Sequence, residues 1–159
     1  MKKKTRKKLE PESCSYCIEI LSWSFPYYLA INTARYISDK TYLEGNSLEL
    51  KGKLIYPKKL IDKTIDITIR GSRQLLHAIE HPERYDTEPT AVGDLKIRGK
   101  ERELYCFVPI DALNPIILAL QAEKIKYLDL RGYALRYGSA DIRSIGFSEE
   151  YTEEDDSTV

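Results

Sequence analysis

Two cysteines and two histidines in this sequence together make the inventory of a structural zinc site. Cys14 and Cys17 stand in CSYC, and His77 and His81 stand four apart in LLHAIEH. Thiolate sulfur and imidazole nitrogen suit a tetrahedral zinc ion, and spacing by four puts both rings on one face of a helix. The compact finger is excluded, because 59 residues separate Cys17 from His77 where a finger has ~12 to 15. HAIEH also differs from the metalloprotease order H-E-x-x-H, since Glu80 stands beside the second histidine. As for the thiols, Cys-x-x-Cys serves redox chemistry where a helix start brings both sulfurs to one point. Here CSYC runs straight into strand-like sequence, and extended positions three apart face opposite sides. The reading is therefore no cofactor and no metal, with Cys14, Cys17, His77 and His81 as the ligand set of a zinc or thiol-dependent enzyme should the fold assemble them. Without a metal, the two histidines are an ordinary helix end, where a cation meets the dipole favourably.

Residues 131–138 read RGYALRYG, and the first four match the opening of the RNA-recognition signature K/R-G-F/Y-G/A-F-V-x-F/Y, whose rings stack on bases. The match ends where the stacking chemistry begins: Leu135, Arg136 and Gly138 occupy the positions of a ring, an aliphatic residue and a second ring. A looser pattern remains. Cations (Lys126, Arg131, Arg136, Arg143) alternate with tyrosines (Tyr127, Tyr133, Tyr137), and such rows can follow a single strand by charge and stacking on any fold. The alternative is a solvated sheet face whose tyrosines pack by their ring bodies. Cys106 falls on one face with Leu104 and Val108 and reads as a small buried hydrophobe. There is no G-x-S-x-G elbow, Walker loop or G-x-G-x-x-G.

Charge argues against a bulk electrostatic partner. Twenty-five basic and 25 acidic residues balance, with six of each concentrated in KKKTRKK and in Glu149–Asp156, so the body is balanced as well. The three cysteines are too few for a disulfide scaffold and fit a reducing cytoplasm. IEILSWSFPYYLAI follows the basic start, but a polar spacer and the interruptions Glu19 and Pro26 do not suit a signal peptide. Nor is there an uninterrupted apolar run of membrane-span length, so no membrane partner is expected. Twelve tyrosines stand against three phenylalanines, and tyrosine gives large contact area with a polar end, which suits recognition surfaces.

The elements that must position these residues are mostly strands. In NSLELKGKLIY, Leu48, Leu50, Leu54 and Tyr56 share a face with Gly52; in TIDITIR, Ile65, Ile67 and Ile69 do the same. DLKIR and RELYCFV form a hairpin across Gly99, Lys100 and Glu101, and KIKYLDL and two short strands around RYGSADIRSIGF complete the C-terminal half. YCIEILSWSF and YYLAINTARYI are apolar on both faces and read as paired strands with two-sided burial, bent at Pro26. Two helices are signalled: RQLLHAIE, capped by Ser72 and ended by Pro82, and a helix capped by Asn114 with Pro115 first, running to Glu123.

These signals give a mainly β chain, an antiparallel β-sandwich or barrel of about eight strands with two short helices; the alternative is α+β. One domain, 13–148, lies between a basic tail, 1–12, and an acidic tail, 149–159. The expected function is a non-catalytic binding or assembly module in the cytoplasm with a tyrosine-rich surface at Tyr127, Arg131, Tyr133, Arg136 and Tyr137. Its expected partner is a protein or a second copy of the chain. Single-stranded nucleic acid on that row, assisted by the lysine-rich tail, is the alternative, and the zinc or thiol enzyme comes third.

Overall fold

In this computed structural model, which describes residues 11–34, 36 and 39–151, the period-two segments become eight strands. They are β1 (Ser13–Ser24), β2 (Tyr27–Ile31), β3 (Tyr42–Tyr56), β4 (Thr64–Ser72), β5 (Gly93–Arg98), β6 (Glu101–Pro109), β7 (Tyr127–Tyr133) and β8 (Ser139–Ser148). Two short helices join them, α1 (Arg73–Glu80) and α2 (Leu113–Gln121). The strands lie side by side in the order β1-β7-β8-β5-β6-β4-β3, and β3 pairs back onto β1. Seven strands thus close into a barrel, and β2 attaches outside as an eighth on the first residues of β3. The charged runs at 1–10 and 152–159 lie outside the described residues.

The mainly β architecture agrees with the alternation except at Tyr56, which a register shift after Leu54 places opposite Cys17 on the outer side of the barrel and not on the face of Leu48, Leu50 and Leu54. Leu48, Leu50, Leu54, Ile65, Ile67, Ile69, Leu104, Cys106 and Val108 all face the barrel interior and are buried, joined by Ile18, Leu95, Leu128, Leu130 and Ile142. One junction departs from an antiparallel sheet: β4 and β6 run parallel, with Ile67 beside Leu104 and Ile69 beside Cys106. The cause is connectivity. The chain leaves β4 through α1 and a loop and enters β5 on the far side of β6, so that β6, returning by the tight turn at Gly99 and Lys100, takes the direction of β4.

Helix α1 is held by the expected cap, the Ser72 hydroxyl accepting from the Leu75 amide at 3.0 Å. Ser72→Ala is expected to cost about 1 kcal/mol. Thermal denaturation should show it as a fall of ~2 to 4 °C. Helix α2 differs from the sequence reading. A 3-10 turn over Ile110–Ala112 leads directly into it, so it starts at Leu113 and Asn114 is not its cap. Packing sets that start, because Leu113 is buried and Gly71 gives it and Ile110 room where a Cβ would collide with both. The helix ends at Gln121, before Glu123, which takes a left-handed φ of 56°.

The N-terminal reading needs the largest correction. β1 and β2 do not pair with each other; after the bend at Pro26, both pair with the long strand β3. β2 ends at Ile31 because Asn32 turns the chain, donating from its side chain to the Lys40 carbonyl at 2.7 Å and accepting from the Ala34 amide at 3.0 Å. Nor is β2 buried on two sides: all five of its residues are exposed. At the other end of the chain, Lys124–Lys126 precede β7, and the two short strands read around RYGSADIRSIGF are one ten-residue strand. A bulge at Arg143 lets β8 stay paired with β7 throughout. No helix among the described residues is long and apolar enough to cross a membrane.

Candidate functional site

Strand β7 carries the first candidate surface. Its outward residues are Tyr127, Asp129, Arg131 and Tyr133, alternating with buried Leu128, Leu130 and Gly132. The bulge in β8 turns Arg143 toward this row, where its guanidinium lies 5.7 Å from the Tyr133 ring centroid and donates to the Tyr133 hydroxyl at 3.3 Å. Arg136 and Tyr137 lie beyond the end of the row, in the turn between β7 and β8. There Tyr137 has a left-handed φ of 53° and is 83% exposed, and the Arg136 guanidinium lies 5.7 Å from its ring. The five residues singled out in the sequence therefore share one strand and its turn, but not one continuous surface.

Small side chains on β1 and β8 hollow a groove beside the row. Ser15 and Cys17 flank it on β1, Ser144 and Gly146 on β8, and its volume is about 1130 Å³. Gly146 keeps the floor low, since a Cβ there would meet nothing closer than the Asp129 carbonyl oxygen at 4.0 Å. The lining is mixed in charge: Arg131 and Arg143 share it with Glu12, Asp129 and Glu150. Asp129 accepts a short hydrogen bond from the Ser148 hydroxyl, 2.6 Å, and Tyr127 packs its ring 6.0 Å from that of Tyr151. A polyanion laid along the row meets carboxylates at several points, which weakens the local attraction that stacking would need.

The ligand and thiol candidates are dispersed. Cys14 and Cys17 lie within β1, in extended backbone, so one faces the interior and the other the outer surface. His77 and His81 do stack on one face of α1, with ring centroids 4.8 Å apart. Their nitrogens meet protein groups: His77 Nδ1 lies 2.7 Å from the Tyr85 hydroxyl and His81 Nδ1 lies 3.5 Å from Glu83. Among the described residues no three His, Cys, Asp or Glu side chains gather as a metal site. Burial, followed by the Asp129 carboxylate, pushes the Cys17 thiol up to about 12. Burial does the same to Cys106, also to about 12. Both thiols stay protonated at neutral pH, the opposite of what a nucleophile needs. Tyr16 is a core residue, its hydroxyl donating to the Tyr133 carbonyl at 2.7 Å, and burial and the neighbouring Cys14 raise its pKa above the ordinary tyrosine value.

The second surface was not legible as a site. β2 and the start of β3 form a two-stranded ribbon standing off the barrel. Tyr27, Leu29, Ile31 and Tyr42 lie on one face of it, 55%, 60%, 69% and 60% exposed. Tyr28 and Leu43 lie on the other. Tyr28 lays its ring over Gly45, directly opposite, where a Cβ could not fit. The one carboxylate of this part of the ribbon, Glu44, is engaged: Arg73 donates to it at 3.1 Å and so does the Tyr27 hydroxyl, also at 3.1 Å. An uncharged run fits two-sided burial and two-sided exposure equally well in sequence; what separates them is that no element among the described residues covers β2.

The chain matches no protein-family model, no curated protein and no solved structure.

Proposed function

We propose that this chain is a non-catalytic association domain that binds a protein partner through the β2–β3 ribbon. The observation that carries the reading is β2 itself, five uncharged residues all exposed and, among the described residues, with backbone paired on one side only. Proteins usually blunt such an edge with charge, proline or a bulge. Here no proline lies within the strand, Pro26 standing before it, and the register is regular. A partner strand added to the edge would satisfy its backbone groups while covering rings and aliphatics, the strand-addition mode of recognition. Each large side chain fully covered contributes roughly 1.5 to 3 kcal/mol, before the cost of association is subtracted. A second reading, single-stranded nucleic acid, has one observation in its favour, the shared outer row of Arg131 and Tyr133 with Arg143.

The test compares two variants of the full chain, Leu29→Lys with Ile31→Lys on the ribbon and Arg131→Ala with Tyr133→Ala on the row. The ribbon variant is expected to melt within about 2 °C of the parent, since exposed positions contribute little to stability. Chemical crosslinking in the cell of origin should lose its crosslinked species with the ribbon variant and keep it with the row variant. The reverse pattern overturns the proposal. Binding of a fluorescent single-stranded RNA that Tyr133→Ala weakens tenfold at 0.15 M salt would move the function to the row instead.

A further inference from the structure

The backbone geometry of β2 points to the partner's identity. In the antiparallel ribbon, Asn32 stands directly opposite Thr41 and its amide donates to the Thr41 carbonyl at 2.9 Å. Residues facing each other in this way alternate between exchanging hydrogen bonds and not doing so. Counting back from Asn32, Ala30 and Tyr28 direct their N–H and C=O groups at β3. Tyr27, Leu29 and Ile31 direct theirs at the free edge. Three evenly spaced residues thus present both a donor and an acceptor outward, symmetric about Leu29.

We infer that this edge pairs with the same edge of a second copy of the chain, antiparallel, with the twofold axis at Leu29. This deepens the association reading above and rests on it. An antiparallel pair of identical strands is a closed, twofold arrangement by construction. With Leu29 opposite its own copy, Tyr27 faces Ile31 on either side, so all three outward residues exchange bonds with a partner, about six in total. Side chains match in the same register. Tyr27 against Ile31 is an aromatic and β-branched pair, a favourable cross-strand combination, and Tyr28 falls against Ala30, large against small. No charged residue occurs in β2, so the copies meet without like-charge repulsion; Glu44, the nearest carboxylate on the Leu29 face, already holds Arg73. An isolated two-stranded ribbon is marginally stable in water, whereas three or more strands with an apolar face are not. Pairing makes one four-stranded sheet, β3-β2-β2-β3, from two ribbons that are each exposed on both faces.

Sedimentation of the full chain from 1 to 500 µM, under reducing conditions, should show a concentration-dependent dimer. Leu29→Pro should abolish it while leaving the melting temperature of the monomer nearly unchanged, because the lost N–H faces outward and proline is tolerated at a sheet edge. A second variant reads the axis directly. Hydrogen-bonded antiparallel pairs hold Cα atoms ~5.5 Å apart, within disulfide range. Leu29→Cys in a Cys14→Ser background should therefore oxidise to a covalent dimer at least tenfold faster than Leu43→Cys in the same background. A chain that stays monomeric across the range, or a dimer indifferent to Leu29→Pro with no preferential crosslink at residue 29, overturns the twofold. If in-cell crosslinking still depends on Leu29 and Ile31 in that event, the ribbon binds another protein; if that dependence is also absent, the association reading falls with it.

Discussion

Gly132→Ala should lower the melting temperature by about 5 to 10 °C, and Gly146→Ala should leave it within about 2 °C of the parent. Both glycines lie in the paired region of β7 and β8, Gly146 opposite Asp129 and Gly132 opposite Ile142 at the register shift. They differ in what a side chain would meet. At Gly132, opposite the bulge that turns Arg143 outward, an added Cβ would enter the van der Waals radius of the Asp141 carbonyl oxygen and crowd Ile142 Cα at 3.0 Å. Both obstacles are backbone, so no rotamer change relieves them. Overpacking of this kind costs roughly 1 to 3 kcal/mol and more where the backbone must move, and for a chain of this size 1 kcal/mol is worth ~2 to 4 °C. At Gly146 the nearest atom is 4.0 Å away, and exchanging glycine for alanine at a compatible position is neutral or mildly stabilising. Equal melting temperatures for the two variants would mean that the bulge relaxes and does not fix the junction. Loss of the bulge would also swing Arg143 away from Tyr133, so the near-ultraviolet dichroism of the Gly132→Ala protein should change before it unfolds.

The bulge also marks where sequence patterning stops being informative. Alternation in β4, in β6 and in β3 as far as Leu54 matches the inward residues, because one face of each is buried and a one-residue slip would invert it; past Leu54 a register shift turns Tyr56 outward beside Cys17. In β8 the extra residue at Arg143 breaks that alternation, which is why one strand reads as two short ones. The parallel junction of β4 with β6 was hidden for another reason: neighbours in a sheet separated by α1 and β5 leave no local signature. Among the candidate residues, Tyr127, Arg131 and Tyr133 could be placed on one strand face from spacing alone. What spacing could not supply were the carboxylates Glu12 and Glu150, brought beside that row by the two ends of the barrel chain. β2 is the clearest case. Its composition is apolar on both faces, which suits two-sided burial, and the same composition suits an edge strand that the fold leaves exposed on both faces.

Alkaline unfolding should separate the role of the thiols from every other titrating group. Cys17 and Cys106 are held at about 12 in the fold, against an ordinary value of 9.0, because burial disfavours the thiolate. The sign follows from proton counts. Between pH 9 and 12 the unfolded chain has released these protons and the folded chain has kept them, so unfolding is coupled to proton release and stability falls as pH rises. Below pH 9 both states hold the protons and this contribution is constant. Each thiol weakens the fold by up to about 1.4 kcal/mol per pH unit in that window, and the pair by about 3. Tyr16, also raised by burial, adds to the loss once its ordinary value of 10.0 is passed. Set against an ordinary stability of about 5 to 15 kcal/mol, this loss is large enough to read well before pH 12. Replacing the thiols with Cys17→Ser and Cys106→Ala removes two of the coupled protons. Relative to its own stability at pH 8, the double variant should therefore lose about half as much or less by pH 11, measured by urea titration at each pH with a non-thiol reductant present. If parent and variant lose stability in parallel from pH 8 to 11, the two sulfurs ionise in the folded barrel as they do in water. Cys17, whose outer position beside Asp129 borders the groove, would then have to be reconsidered as a reactive thiol.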